Sequence, residues 1–155
     1  MTNFISKHNI LFQHQYGFRS QHSTIHALLH LINQISSSID NKKVTVGIFL
    51  DLSKAFDTVN HQILLNKLEH YGFRGITLQW IKNYLKDRKQ FVKYKTVTSE
   101  YRTIRCGVPK RSILGPLLFL IYINDIAQIS NLLNFILYAD DTSAFIEDKD
   151  LNMLN

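Results

Sequence analysis

From Ser23 to about Asp40 the apolar side chains of Ile25, Leu28, Leu31, Ile32, Ile35 and Ile39 recur every three or four positions among polar neighbours. That is the repeat of one helical face, and it predicts an amphipathic helix with Ser23 as its N-cap. The stretch VTVGIFLDL at 44–52 has no such repeat. It is rich in β-branched and aromatic residues and apolar on both faces as it ends, which predicts a buried strand at the centre of a sheet. Helical spacing returns from about Asn60 to Tyr71, with Ile63, Leu64, Leu65 and Leu68, and Gly72 closes the segment. A further helix is expected over 76–86, with Leu78, Trp80, Ile81, Tyr84 and Leu85. QFVKYKTV and YRTIRCGV alternate apolar and polar residues and predict two strands joined by a polar turn. Residues 115–127 are apolar enough for a buried helix, and 132–139 and 142–147 read as paired strands around Asp140 and Asp141. This order of elements is that of an α+β domain with helices packed on one sheet.

Composition narrows the class without changing that picture. A chain of 155 residues, 45% hydrophobic and 19% charged, is the size of one domain and has the make-up of a globular one. Its single cysteine, Cys106, cannot form an internal disulfide, in keeping with a reducing intracellular setting, and is expected to be a small buried residue. The longest apolar run, ILGPLLFLIYI, is interrupted by Gly115 and Pro116 and is too short to cross a bilayer. TNFISKHNILF at the N-terminus is not a secretory signal.

Charge adds more. The formal net charge is +6, yet residues 82–111 hold ten Lys or Arg against only Asp87 and Glu100, so the remainder of the chain is slightly acidic. Lys89, Lys93, Lys95, Arg105, Lys110 and Arg111 are interleaved or flanked there by Phe91, Tyr94 and Tyr101. Cations alternating with rings suit a phosphate backbone with stacked bases. They equally suit a solvated hairpin.

Two carboxylate clusters carry the candidate chemistry. FILYADDTSAF places Asp140 and Asp141 side by side where an ordinary hairpin prefers Asn-Gly or Asp-Gly. FLDLSKAFD ends an apolar strand on Asp51, a costly position for a charge unless a cation compensates it. If the two strands share a sheet, Asp51 and Asp140 meet at one edge, where Mg²⁺ would relieve their repulsion and leave positions open for substrate phosphates. The plainer alternative makes Asp51 the start of a helix and Asp140-Asp141 a polar turn. His22, His26 and His30 recur at helical spacing, but no Cys or acid completes a zinc set, so they read as a solvated face. Arg19 either touches a nucleic-acid backbone or caps the helix, and Asp57 is either a cap or a surface acid.

FLDLSKAFDTVNHQILLNKLEHYG, followed by GVPKRSILGPLLFLIYINDI and then by YADDT, resembles the reverse transcriptases of non-LTR retrotransposons of the jockey and LINE type. QYGFRSQHSTIHAL at 15–28 is similar to the segment that precedes the first aspartate motif in that family. The motifs stand in the family's order from about Gln15 to Asp148. The resemblance implies a right-hand polymerase palm, an antiparallel sheet with helices on one face, together with part of the fingers and without a thumb. Residues up to about 43 would belong to the fingers side and 44–155 to the palm. It implies RNA-directed DNA synthesis, with an RNA template, a DNA primer or target, deoxynucleoside triphosphates, and two Mg²⁺ ions or Mn²⁺ in their place. Asp51, Asp140 and Asp141 would be the catalytic metal ligands, joined by the main chain at Leu52. Phe56 would lie under the incoming sugar and exclude a 2′-hydroxyl, and Gly107, Val108 and Pro109 would face the nascent base pair. Nucleus and cytoplasm are both expected locations. The family has Gln-Gly where this chain has Lys110 and Arg111. A bulky Arg obstructs the close backbone approach that glycine permits, and Lys donates where Gln both donates and accepts. The alternative is therefore an inactive remnant that at most binds nucleic acid. Read as a fragment without full fingers or thumb, the chain is expected to show no primer extension by itself.

Overall fold

The computed structural model describes residues 1–149. Helices α1 (Thr2–Lys7), α2 (Thr24–Asp40), α3 (His61–His70), α4 (Gly75–Leu85) and α5 (Leu114–Ile123) are joined with strands β1 (Val44–Leu50), β2 (Lys89–Gln90), β3 (Lys93–Tyr94), β4 (Val97–Thr98), β5 (Arg102–Thr103), β6 (Asn134–Tyr138) and β7 (Asp141–Asp148). The named strands all pair antiparallel, and the fold is α+β. Among the described residues no helix is long and apolar enough to cross a membrane.

The expected helix starts are realised by side-chain caps. The Ser23 hydroxyl accepts from His26 N at the head of α2, and the side-chain Oδ1 of Asn60 accepts from Gln62 N and Ile63 N at the head of α3. The apolar run after Ser112 forms α5 and then tightens into a 3₁₀ turn over Asn124–Gln128. Asn124 is nearly buried there; it accepts from Phe12 N at 2.7 Å and donates to Ile10 O at 2.8 Å.

Three expectations are corrected. β1 is an edge strand in the sheet order β1-β7-β6, with Ile48, Phe49 and Leu50 exposed, and β7 takes the centre with Thr142, Ala144 and Phe145 buried. DTSAFIED opens on three polar residues and closes on two acids, leaving only Ala144, Phe145 and Ile146 apolar, and so short an apolar run does not mark a central strand. The segment QFVKYKTV turns back on itself: β3 pairs β4 across Lys95 and Thr96, with Lys95 at a φ of 53°, while β2 pairs β5. A lysine at the turn carries none of the Gly or Asn signal that marks such loops.

The third correction concerns α2. Its inward side consists of Ala27, His30, Leu31, Gln34 and Ser38, and Ser38 donates to Gln34 O and to the Glu147 carboxylate. Ile25, Leu28, Leu29, Ile32, Ile35 and Ile39 point to solvent instead. The helix is amphipathic as expected, but most of its apolar stripe lies on the solvent side.

The chain divides into two compact units, one of Met1–Ser53 with the residues from Ile123 on, the other of Lys54–Tyr122. In the first, Phe135, Leu137 and Ala144 are buried, with Phe12, Ile126, Ala127 and Leu133 packed on them. In the second, Leu64, Leu68, Ile81, Leu85, Leu118 and Leu120 are almost fully enclosed.

Candidate active site

In the first unit the strand register assembles the carboxylates. The last residue of β1, Leu50, stands opposite Thr142, so Asp51 leaves the sheet next to Asp141, the first residue of β7. β6 ends on Tyr138 opposite Asp141, and the loop Ala139–Asp140 closes the hairpin. Asp51, Asp140 and Asp141 therefore lie at one end of one sheet. Asp51 and Asp141 are exposed, while Asp140 and the neighbouring Leu52 are half-buried. Among the described residues no group of three or more His, Cys, Asp or Glu side chains is gathered closely enough to hold a metal ion. Mg²⁺ takes oxygen donors and commonly uses only one or two carboxylates, completing its shell with water and phosphate. The donor set at this sheet end fits that habit.

In the second unit the loop at 107–110 is tied to the segment between Phe56 and His61. Gly107 N donates to Val59 O and Val108 N to Phe56 O, both at 2.7 Å. His61 Nε2 lies 2.8 Å from Gly107 O, and because a carbonyl only accepts, the ring must carry its proton on that nitrogen. Gly107 has a φ of 90°, and a Cβ there would meet Asp57 O at 2.7 Å, so glycine is required on both counts. Phe56 is 9% exposed and stacks on Phe119 with centroids 4.5 Å apart. Val108 is buried and Pro109 half-buried. Lys110 Nζ sits 2.9 Å from Asp57 Oδ2, which makes Asp57 a surface acid in an ion pair. His61 was not singled out by pattern, because a histidine opening a helix resembles any polar first-turn residue.

The basic segment is solvent-facing. Lys89, Lys93, Lys95, Arg105, Lys110 and Arg111 are all exposed. Lys89, Arg88, Arg102, Arg105 and Lys110 line an open cleft of about 590 Å³ in this unit. The Phe91 and Tyr101 rings meet at a tilt of 59° with centroids 4.9 Å apart, and Lys95 lies over the Tyr94 ring, so cations and rings are interleaved as the pattern suggested. Cys106 is exposed, contrary to expectation. The residues beside it leave the sheet to enter the loop at 107–110, where an apolar neighbour pattern does not guarantee burial.

Arg19 does not cap α2, whose N-cap is Ser23. Its guanidinium donates to the carbonyls of Phe12, Gln13 and Gln15 at 2.9, 3.3 and 3.1 Å, and burial lowers its pKa. The histidines of α2 divide: His26 is exposed, whereas half-buried His30 bonds the Tyr16 hydroxyl at 2.9 Å and packs on His14.

The family model for "Reverse transcriptase (RNA-dependent DNA polymerase)" matches residues 1–153. The chain belongs to the reverse transcriptase family. It is 33% identical over 132 residues to a probable RNA-directed DNA polymerase from transposon BS of Drosophila melanogaster, covering 81% of this chain and 14% of that protein. With the RNA-directed DNA polymerase from the mobile element jockey of the same fly it shares 32% over 144 residues, 88% of this chain and 16% of that protein. A probable polymerase from the X-element, again of Drosophila melanogaster, is 34% identical over 119 residues, 75% of this chain and 13% of its own length. The chain thus spans about a seventh of the reverse transcriptases it matches.

Proposed function

We propose that the chain is the nucleotidyl-transfer part of an RNA-directed DNA polymerase, a palm with part of the fingers. The observation that supports this most directly is the register that puts Asp51 beside the start of β7, at the sheet end that carries Asp140 and Asp141. Three acids there have little structural purpose, since none of them closes a salt bridge among those seen in the described residues. Asp51, Asp140 and Asp141, with the main chain at Leu52, would hold two Mg²⁺ ions, or Mn²⁺ in their place. When bound, such ions supply charge neutralisation at the attacking and leaving oxygens of a phosphoryl transfer.

The reaction is attack of a primer 3′-hydroxyl on the α-phosphate of a deoxynucleoside triphosphate, with pyrophosphate leaving. The chain's own residues contribute position and charge. Phe56 would bar a 2′-hydroxyl, held rigid for that task by its stack on Phe119. The loop from Gly107 to Pro109 would meet the nascent base pair, kept in shape by the His61 and Val59 contacts. Lys89, Lys93, Lys95, Arg105, Lys110 and Arg111 would take the phosphates of RNA template and DNA primer.

Primer extension on homopolymeric RNA with Mg²⁺, by a polymerase carrying this chain, is the test. Incorporation is expected in the wild type and only background in Asp140→Ala. Equal incorporation by both proteins removes the assignment, and cleavage of the template would point to a nuclease. RNA binding without extension in either protein would favour the inactive remnant that Lys110 and Arg111 suggest.

A further inference from the structure

Gln15 is 2% exposed in the first unit and has no part in the chemistry assigned so far. Residues 14–16 run beside β6: Gln15 bridges Leu137 in parallel, Tyr16 N donates to Leu137 O at 2.8 Å, and Leu137 N donates to His14 O at 2.9 Å. This places the Gln15 side chain at the end of β6, against the turn that carries the paired aspartates. Its Oε1 accepts from Ala139 N at 3.0 Å and from Gly17 N at 2.8 Å, while Nε2 reaches Ala139 O at 3.5 Å. Two N–H donors on one atom fix which end of the amide is oxygen. One buried side chain thus grips both peptide groups of Ala139.

Ala139 needs such a grip. Its φ is 58°, a left-handed conformation at the first residue of a two-residue hairpin loop, where glycine is favoured. Gly17 lets the two backbones close, because a Cβ at that position would overlap Ala139 N. Arg19 fixes the approach from the other side through the carbonyls of Phe12, Gln13 and Gln15.

We infer that Gln15 is a positioning residue for the carboxylate turn: its amide holds Ala139 in the left-handed conformation and so sets the direction in which Asp140 leaves the hairpin. The inference rests on the reading of Asp140 as a metal ligand, but the grip itself is measurable without it. An aliphatic side chain of the same length at position 15 would keep the volume and lose every one of these bonds. A glycine at position 139 would remove the backbone cost that the bonds offset.

The experiment follows backbone amides of the 155-residue chain by NMR in the wild type, Gln15→Met, Ala139→Gly and the double variant. In Gln15→Met the Ala139 amide is expected to exchange about tenfold faster or more, the effect of losing one ordinary hydrogen bond, while the amides of Leu118 to Ile121 keep their protection. Mn²⁺ alone serves as the metal probe. The concentration that half-broadens the Asp140 and Asp141 amides should rise several-fold in Gln15→Met, and Ala139→Gly should bring it back towards wild type. Unchanged Ala139 exchange in Gln15→Met overturns the inference. So does an unchanged Mn²⁺ midpoint, or a loss of protection that reaches α5. Should Mn²⁺ broaden nothing near residues 51, 140 and 141 in the wild type, with the Ala139 amide still dependent on Gln15, the metal assignment falls and the turn clamp stands.

Discussion

Phe56 shows how one side chain serves two demands. Its ring is nearly enclosed and stacked on Phe119, so part of what keeps it in place is ordinary core packing. Replacing it with alanine is expected to cost about 3–5 kcal/mol of unfolding free energy, as for large-to-small changes in cores generally, read from urea denaturation of the isolated chain. A loss under about 1 kcal/mol would mean that the ring is not part of the core, since typical single substitutions already cost that much. Lys110, by contrast, stands where the family has Gln, a departure that favours the alternative of an inactive remnant. Its ion pair with Asp57 gives it a local partner, although both groups are about half exposed and such pairs contribute little to stability. What pattern could not reach at this level were Gln15 and His61. Their roles lie in bonds to carbonyls and amides more than forty positions away in the chain, and no periodicity encodes those.

The elements legible in the sequence were those whose periodicity and end signals agree. α3 and α4 fall within a residue of expectation, and the β6–β7 hairpin brackets the two aspartates as their setting between apolar runs suggested. The misreadings of β1 and α2 share a cause. Apolar content was equated with burial, yet β1 is an exposed edge, and α2 packs through Ala27, His30, Leu31, Gln34 and Ser38 while its isoleucines face water. A row of exposed apolar side chains on one helix makes self-association favourable. Ile32→Lys on that face is expected to lower the average mass in sedimentation velocity without lowering Tm, because Ile32 is already 47% exposed. No change in mass would show that this face does not mediate contact between copies.

For the molecule taken together, what sequence makes legible is that the strand ending at Asp51 and the hairpin of Asp140 and Asp141 share one sheet, although β1 lies at its edge and not its centre. Stability should also depend on pH through His14. Burial first, and then the neighbouring His30, hold its imidazole below the ordinary 6.5, while a bond with the Phe135 backbone works the other way. The unfolded chain takes up a proton below that value and the folded chain resists it, so stability rises with pH across the interval. The contribution is complete above pH 6.5 and is lost as pH falls through the lowered folded value. Thermal melts should give a Tm that is level near neutrality and declines in mild acid, and His14→Gln should flatten the decline. An equally steep decline in the variant would assign it to other groups.

The position of β1 has a practical consequence. No strand pairs with its outer edge among the described residues, and VTVGIFL contains no charge or proline to discourage one. Such a border is an open template for a second backbone. Concentrated samples of the chain are thus exposed to fibril-like stacking unless a lysine or proline is introduced along that border, a modification that leaves the aspartate-bearing turn untouched.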